Sequence, residues 1–173
     1  MVSSTTTQCG MGFRSMRVLG IDPGLRIAGY GCIDLESNAA TPTIVEAGAI
    51  RMNTKETVPF RLQELYDNVK EVIKELSPDL LAVETIFTHR RQVATAIIMG
   101  HTRGVILLAG QQGSLPLIEL APAEIKKSVT GNGRASKEQI QHTVMNILRL
   151  TEIPEPPDVA DALAIAITAA MRN

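Results

Sequence analysis

Aromatic residues make up only 3% of this 173-residue chain, and tryptophan is absent. The core must therefore be built from Val, Ile, Leu, Ala and Met. Cysteine is nearly missing. Cys9 and Cys32 are the two present, too few for a disulfide framework or a cysteine-based zinc site. That makes a reducing, cytoplasmic setting the expectation. No apolar run reaches the roughly 18 residues that a membrane-spanning helix needs, so a transmembrane reading is excluded. Excess charge of one sign is also lacking, with 17 basic residues against 18 acidic ones. What remains is an ordinary globular composition, 45% hydrophobic and 20% charged, at a length that suits one domain with a proper core.

The near-neutral total hides an asymmetry. Between Thr85 and Arg149 lie eight basic residues, Arg90, Arg91, Arg103, Lys126, Lys127, Arg134, Lys137 and Arg149, and only three acids, Glu119, Glu124 and Glu138. Such a distribution allows one basic face for a polyanion beside an acidic cluster elsewhere, although a solvated surface gives the same count.

Residues 1–15 are rich in Ser and Thr, without acids or periodicity. They read as an extension outside the fold, with order expected from Met16 in a single domain over 16–173. Arg17–Asp22 reads as a buried strand stopped by Pro23-Gly24. Ile27–Leu35 and Thr43–Arg51 are two further short strands. Val58–Leu76 has helical spacing, with Leu62, Leu65, Val69, Val72, Ile73 and Leu76 on one stripe. Leu80–Glu84 is a continuous apolar run closed by a carboxylate, the pattern of a buried parallel strand. A helix over Arg91–Gly110, a strand over Pro116–Leu120, and helices over Pro122–Val129, Ser136–Leu150 and Asp158–Met171 complete the chain. The order predicts an α/β fold, a mixed five-stranded sheet flanked by helices.

Four acids stand where an acid is expensive. Asp22 ends the first apolar strand and Glu84 the fourth. Asp158 and Asp161 share one face of an otherwise apolar helix, three residues apart. Strand ends on one sheet edge are where α/β sites are built. Clustered carboxylates repel, and a hard divalent cation such as Mg²⁺ resolves the repulsion. Two such ions can clamp the attacking and leaving oxygens of a phosphoryl displacement. Each acid also has a plainer reading. Asp158 and Asp161 would each gain about 0.3–1 kcal/mol from a helix N-terminus, and Asp22 before Pro-Gly suits a turn. Glu84 has the weakest plain explanation, because a turn does not choose Glu after Leu-Leu-Ala-Val.

Taken in order, Gly20-Ile21-Asp22-Pro23-Gly24 with Gly29-Tyr30-Gly31, Val83-Glu84-Thr85-Ile86-Phe87, Gly131-Asn132-Gly133 with Lys137, and Asp158-Val159-Ala160-Asp161-Ala162-Leu163-Ala164-Ile165-Ala166 resemble the RuvC family of Holliday-junction resolvases. The resemblance spans Met16 to the C-terminus. It implies a ribonuclease-H-like fold, a homodimer, and Mg²⁺-dependent cutting of four-way junction DNA with two ions per site and Mn²⁺ as a substitute. It further implies work in recombination and repair beside the branch-migration proteins RuvA and RuvB. Matched by position, Asp22, Glu84, Asp158 and Asp161 are the catalytic, metal-binding quartet. Phe87 matches a base-contacting aromatic, and Lys126 and Lys137 match basic positions near the DNA. Gly100-His101-Thr102-Arg103-Gly104 keeps the arginine of a family motif, which makes Arg103 a DNA-contact candidate. The helix that carries it resembles a dimerisation element.

Other residues carry less. Arg90 and Arg91 would add phosphate contacts without sequence preference. His89, His101 and His142 form no zinc pattern. Gly-Ile-Asp-Pro-Gly also resembles the phosphate loop of sugar-kinase and actin-like ATPases, but those need two such domains. A non-catalytic junction-binding protein on the same fold is the third reading, and four intact carboxylates count against it.

Overall fold

The computed structural model describes residues 15–86 and 93–172. Its five strands are β1 (Ser15–Asp22), β2 (Ile27–Glu36), β3 (Thr43–Arg51), β4 (Leu80–Glu84) and β5 (Leu117–Leu120). They form one sheet in the order β3-β2-β1-β4-β5. The three long N-terminal strands meander antiparallel, while β4 and β5 join β1 in parallel. The helices are α1 (Val58–Leu76), α2 (Val93–Gln112), α3 (Pro122–Thr130), α4 (Lys137–Ile147) and α5 (Pro157–Arg172).

Side-chain alternation along the central strands divides the interior in two. Val18, Ile33, Leu80 and Ala82 pack with α3, α4 and α5. Leu19, Ile21, Cys32, Leu81 and Val83 pack with α1 and α2. Both faces of β1 and β4 are covered, which is why these strands read as unbroken apolar runs rather than alternating ones. Helix α5 is the central pillar. Eleven of its residues, including every one from Ala162 to Ala170, are buried, and its run of alanines lets it lie close on β1 and β2.

The closeness has a specific cause. Gly20 and Gly31 are paired across β1 and β2, and Gly29 faces Asp22 in the same register. A Cβ on Gly20 would sit 2.3 Å from the Ala162 carbonyl oxygen, and one on Gly29 would sit 1.9 Å from the Asp158 carbonyl oxygen. The three glycines make a flat bed that seats the first turns of α5 against the sheet.

Two helix C-terminal ends differ from the sequence expectation by two residues or more. Helix α2 continues past Gly110 to Gln112. Gly110 is a packing position, since a Cβ there would meet Leu81 Cδ2 at 2.4 Å; it does not stop the helix. Helix α4 ends at Ile147, short of Leu150. Arg149 adopts a left-handed conformation, φ 54°, and the Leu150 amide turns back to the Met145 carbonyl. The first two residues of the helix expected from Arg91 lie outside the described residues.

Candidate active site

The strand register brings two of the four acids together. The parallel pairing of β1 and β4 runs through Ile21 opposite Val83, so Asp22 and Glu84 follow side by side at the C-terminal ends of both strands. By alternation each points to the α5 side, in step with Gly20 and Ala82. Asp158 and Asp161 come from the first two turns of α5, held over the same strand ends by the glycine bed. All four acids line one cavity of about 470 Å³. The tight turn at Pro23-Gly24 closes one wall, and Met99, Pro122, Ile125 and Ile140 supply apolar walls.

Electrostatics record the crowding. Burial, then the charges of Asp161, Glu84 and Asp158, push the Asp22 carboxyl up to about 8, with Lys137 opposing. Glu84 is pushed up to about 7 by burial and by Asp161, against the pull of Lys126 and Lys137. Near neutral pH these acids resist ionisation unless a positive charge joins them. Among the described residues, no three His, Cys, Asp or Glu side chains as they stand are drawn together closely enough to hold an ion. The four carboxylates share the cavity wall without three of them converging to ligand distance. The donor set, all carboxylate oxygen, fits a hard divalent cation.

Two lysines border the acids. A reciprocal capping box between Ser136 and Gln139 starts α4 and places Lys137 in its first turn. Lys137 Nζ lies 3.2 Å from Asp161 Oδ2 and remains 71% exposed, so the pair is a cation held at the mouth of the site and adds little to folding. Lys126 lines the same cavity from α3. The Gly131-Asn132-Gly133 loop is tied by Asn132 Oδ1, which accepts from the Arg134 amide, and Gly131 caps α3 at φ 75°.

The remaining candidates fall elsewhere. Arg103 does not line the cavity. Its Nε donates to the Glu84 carbonyl oxygen at 3.2 Å, and its guanidinium pairs with Glu119 at 2.7 Å. It ties α2 to the ends of β4 and β5 and so holds the Glu84 backbone. Phe87, Arg90, Arg91 and His89 lie outside the described residues. His101 and His142 are exposed, and Cys32 is buried with its thiol pushed up to about 12 by burial, an inert group. Sequence reasoning missed the glycine bed as a positioning device, although the Gly-Tyr-Gly spacing opposite Gly20 was its visible trace. It also missed Arg26, Arg51 and Arg61, which gather in a second cavity beside the first.

The family model described as crossover junction endodeoxyribonuclease RuvC matches residues 18–169. The chain belongs to the RuvC family. It is 44% identical over 152 residues to the crossover junction endodeoxyribonuclease RuvC of Desulforamulus reducens, a match spanning 88% of this chain and 91% of that one. Its identity to the Rhodopirellula baltica RuvC is 45% over 150 residues, 87% and 83% of the two chains. The Thermus thermophilus RuvC structure superposes with a TM-score of 0.82 at 33% identity, covering 91% of this chain and 95% of that one. The same relative in complex with a Holliday junction substrate gives 0.83 at 32% identity, covering 91% and 96%. The yeast mitochondrial resolvase Ydc2 shares the fold at 12% identity and a TM-score of 0.64. Family membership makes this chain a crossover junction endodeoxyribonuclease, and the expected mixed five-stranded, ribonuclease-H-like fold is the one observed.

Proposed function

We propose that the chain resolves Holliday junctions by Mg²⁺-dependent hydrolysis, with paired symmetric incisions that leave 5′-phosphate and 3′-hydroxyl ends. The observation that carries this reading is the convergence of Asp22, Glu84, Asp158 and Asp161, from two strand ends and one helix, on a single cavity in a RuvC-family chain. The Thermus thermophilus relative solved with a Holliday junction substrate supports the choice of DNA.

Asp22, Glu84, Asp158 and Asp161 would hold two divalent ions. Bound there, the ions would supply an activated water and stabilise the departing oxygen. Asp22, whose carboxyl feels the charges of Asp161, Glu84 and Asp158, would be a ligand shared among the four acids. Lys137 and Lys126 stand at the rim, where a fixed ammonium offsets charge that develops on the phosphate. The apolar walls lower the local polarity and strengthen these interactions.

A homodimer suits a two-fold junction, since two protomers present two sites. Helix α2 supports that arrangement. Ile97 and Leu108 stand exposed on one face, and a Cβ on Gly100 or Gly104 between them would meet nothing within 4 Å, so an apolar stripe with room for close approach is left open. Recombination and repair in the cytoplasm, alongside RuvA and RuvB, complete the reading by family analogy. The test is incubation of the purified protein with a synthetic four-way junction, with and without Mg²⁺. Paired nicks that need the metal are the expected result; a junction bound and left intact at every Mg²⁺ or Mn²⁺ concentration would overturn the reading.

A further inference from the structure

We infer that a second cavity beside the acidic one, floored by Arg61 and rimmed by Arg26 and Arg51, binds the backbone phosphate next to the scissile one on the strand being cut. This rests on the nuclease reading above and names a subsite of the same reaction. The cavity, about 770 Å³, shares Gly24, Met99 and Asp158 with the acidic cavity, so a strand with one phosphate at the acids runs directly into it. The three arginines reach it from separate elements. Arg26 leads into β2, Arg51 ends β3, and Arg61 lies in the second turn of α1. Their placement is fixed by backbone pairing, Ile27 with Arg51 and the Met52 amide with the Arg26 carbonyl.

Two features suit an anion. Among the described residues no carboxylate forms an ion pair with any of the three arginines, and Asp158, shared with the acidic cavity, is the one acid in the lining. Arg61 donates to the Leu25 carbonyl, while its Nε is buried with no hydrogen-bond partner. It carries more donor capacity than the protein uses, and a guanidinium fork matches a phosphate. The remaining walls, Leu25, Ile27, Met52, Ile98 and Met99, offer an apolar surface to a sugar or base.

The test combines protein and DNA changes. Arg26 and Arg51 are exposed, so the double variant R26Q/R51Q removes two charges without opening the core. Its salt dependence of junction binding should flatten by about one in slope per site, the count for one lost phosphate contact. Cleavage of junctions carrying a single neutral methylphosphonate at each position flanking the cut is then compared. Wild-type protein should slow at one flanking position, on the order of tenfold. The double variant should be slow on the normal junction and no slower on that modified one. Arg61→Lys, which keeps the charge and loses the fork, should behave as an intermediate. Unchanged thermal midpoints separate these effects from misfolding. A double variant with the wild-type slope and the wild-type methylphosphonate sensitivity overturns the subsite alone. Wild-type protein that cuts no junction removes the nuclease reading and the subsite with it.

Discussion

At the scale of single residues, Asp22 is the acid pushed furthest from its ordinary value among the described residues. Its carboxyl is pushed up to about 8 by burial and three acidic neighbours, and that of Glu84 to about 7. Both values lie above those of the unfolded chain. Between pH 4 and 8 the folded state therefore binds more protons than the unfolded one, and metal-free stability falls as pH rises through this window. Asp22→Asn removes the charge while keeping the shape. Without metal it should raise the melting midpoint at pH 8 by roughly 5 °C, since 1 kcal/mol is worth about 2–4 °C in a domain of this size, and change it little at pH 4. Added Mg²⁺ should stabilise the wild type and leave the variant unmoved, because binding acts through the same carboxylate. Cleavage should be lost and junction binding kept. Calorimetry at the two pH values with and without Mg²⁺, beside a gel assay, checks all of this; equal metal stabilisation of both proteins would remove Asp22 from the metal site. Lys137 shows the contrasting case. Its charge is favoured chiefly by Asp161, yet the side chain stays largely in solvent, so its contribution belongs to the site and not to folding.

At the scale of elements, the site is a consequence of how near α5 sits to β1 and β2. Gly20→Ala would bring a methyl group to 2.3 Å from one backbone carbonyl oxygen of α5 and 2.7 Å from the Ala166 nitrogen. Neither obstacle is a flexible side-chain tip, so the helix itself must move. Overpacking of this kind costs about 1–3 kcal/mol, and the displacement carries Asp158 and Asp161 away from Asp22 and Glu84. G20A should therefore unfold earlier in urea and, at temperatures where it remains folded, cut junctions at least tenfold more slowly at saturating substrate. Wild-type cleavage in a folded G20A would mean that the α5 acids need no such seating. The same comparison shows what the sequence makes legible. Strand and helix identities follow from periodicity and from Pro and Gly punctuation, and the four acids stand out because burial makes them anomalous. The glycine bed is harder to read, because its meaning lies in a helix more than a hundred residues further on. Gly110 reads as a stop for want of knowing that Leu81 lies beneath it. The partners of Arg103 are not legible either, because a basic residue in a motif carries no mark of them; only the fold brings Glu119 and the Glu84 carbonyl to it. Arg26, Arg51 and Arg61 are scattered among acids along the chain, and only the turn after β1 gathers them.

At the scale of the whole molecule, one sheet with two helical layers presents its chemistry at a single edge, the C-terminal ends of β1 and β4. One copy carries one set of the four acids, so on the proposed reading a lone copy has one cutting centre. Resolving a junction needs two cuts, so the stoichiometry of active sites must appear in the products. The exposed apolar stripe of α2 lies on the layer opposite α5, so the proposed dimer through it would leave the acidic cavity of each copy free. A heterodimer of wild-type and Asp22→Asn chains, purified through two different affinity tags, should bind a plasmid-borne cruciform as the wild type does. It should then release nicked circles, where the wild-type homodimer releases linear DNA. Nicking by the heterodimer should proceed at about half the wild-type rate for a first cut, because one of two equivalent sites remains. Linear product at the wild-type rate would mean that one protomer makes both incisions, and the two-fold arrangement of sites would have to be abandoned. Linear product that appears only on long incubation, and that scales with enzyme excess, marks a second encounter by another dimer, and dilution separates it from a concerted pair of cuts.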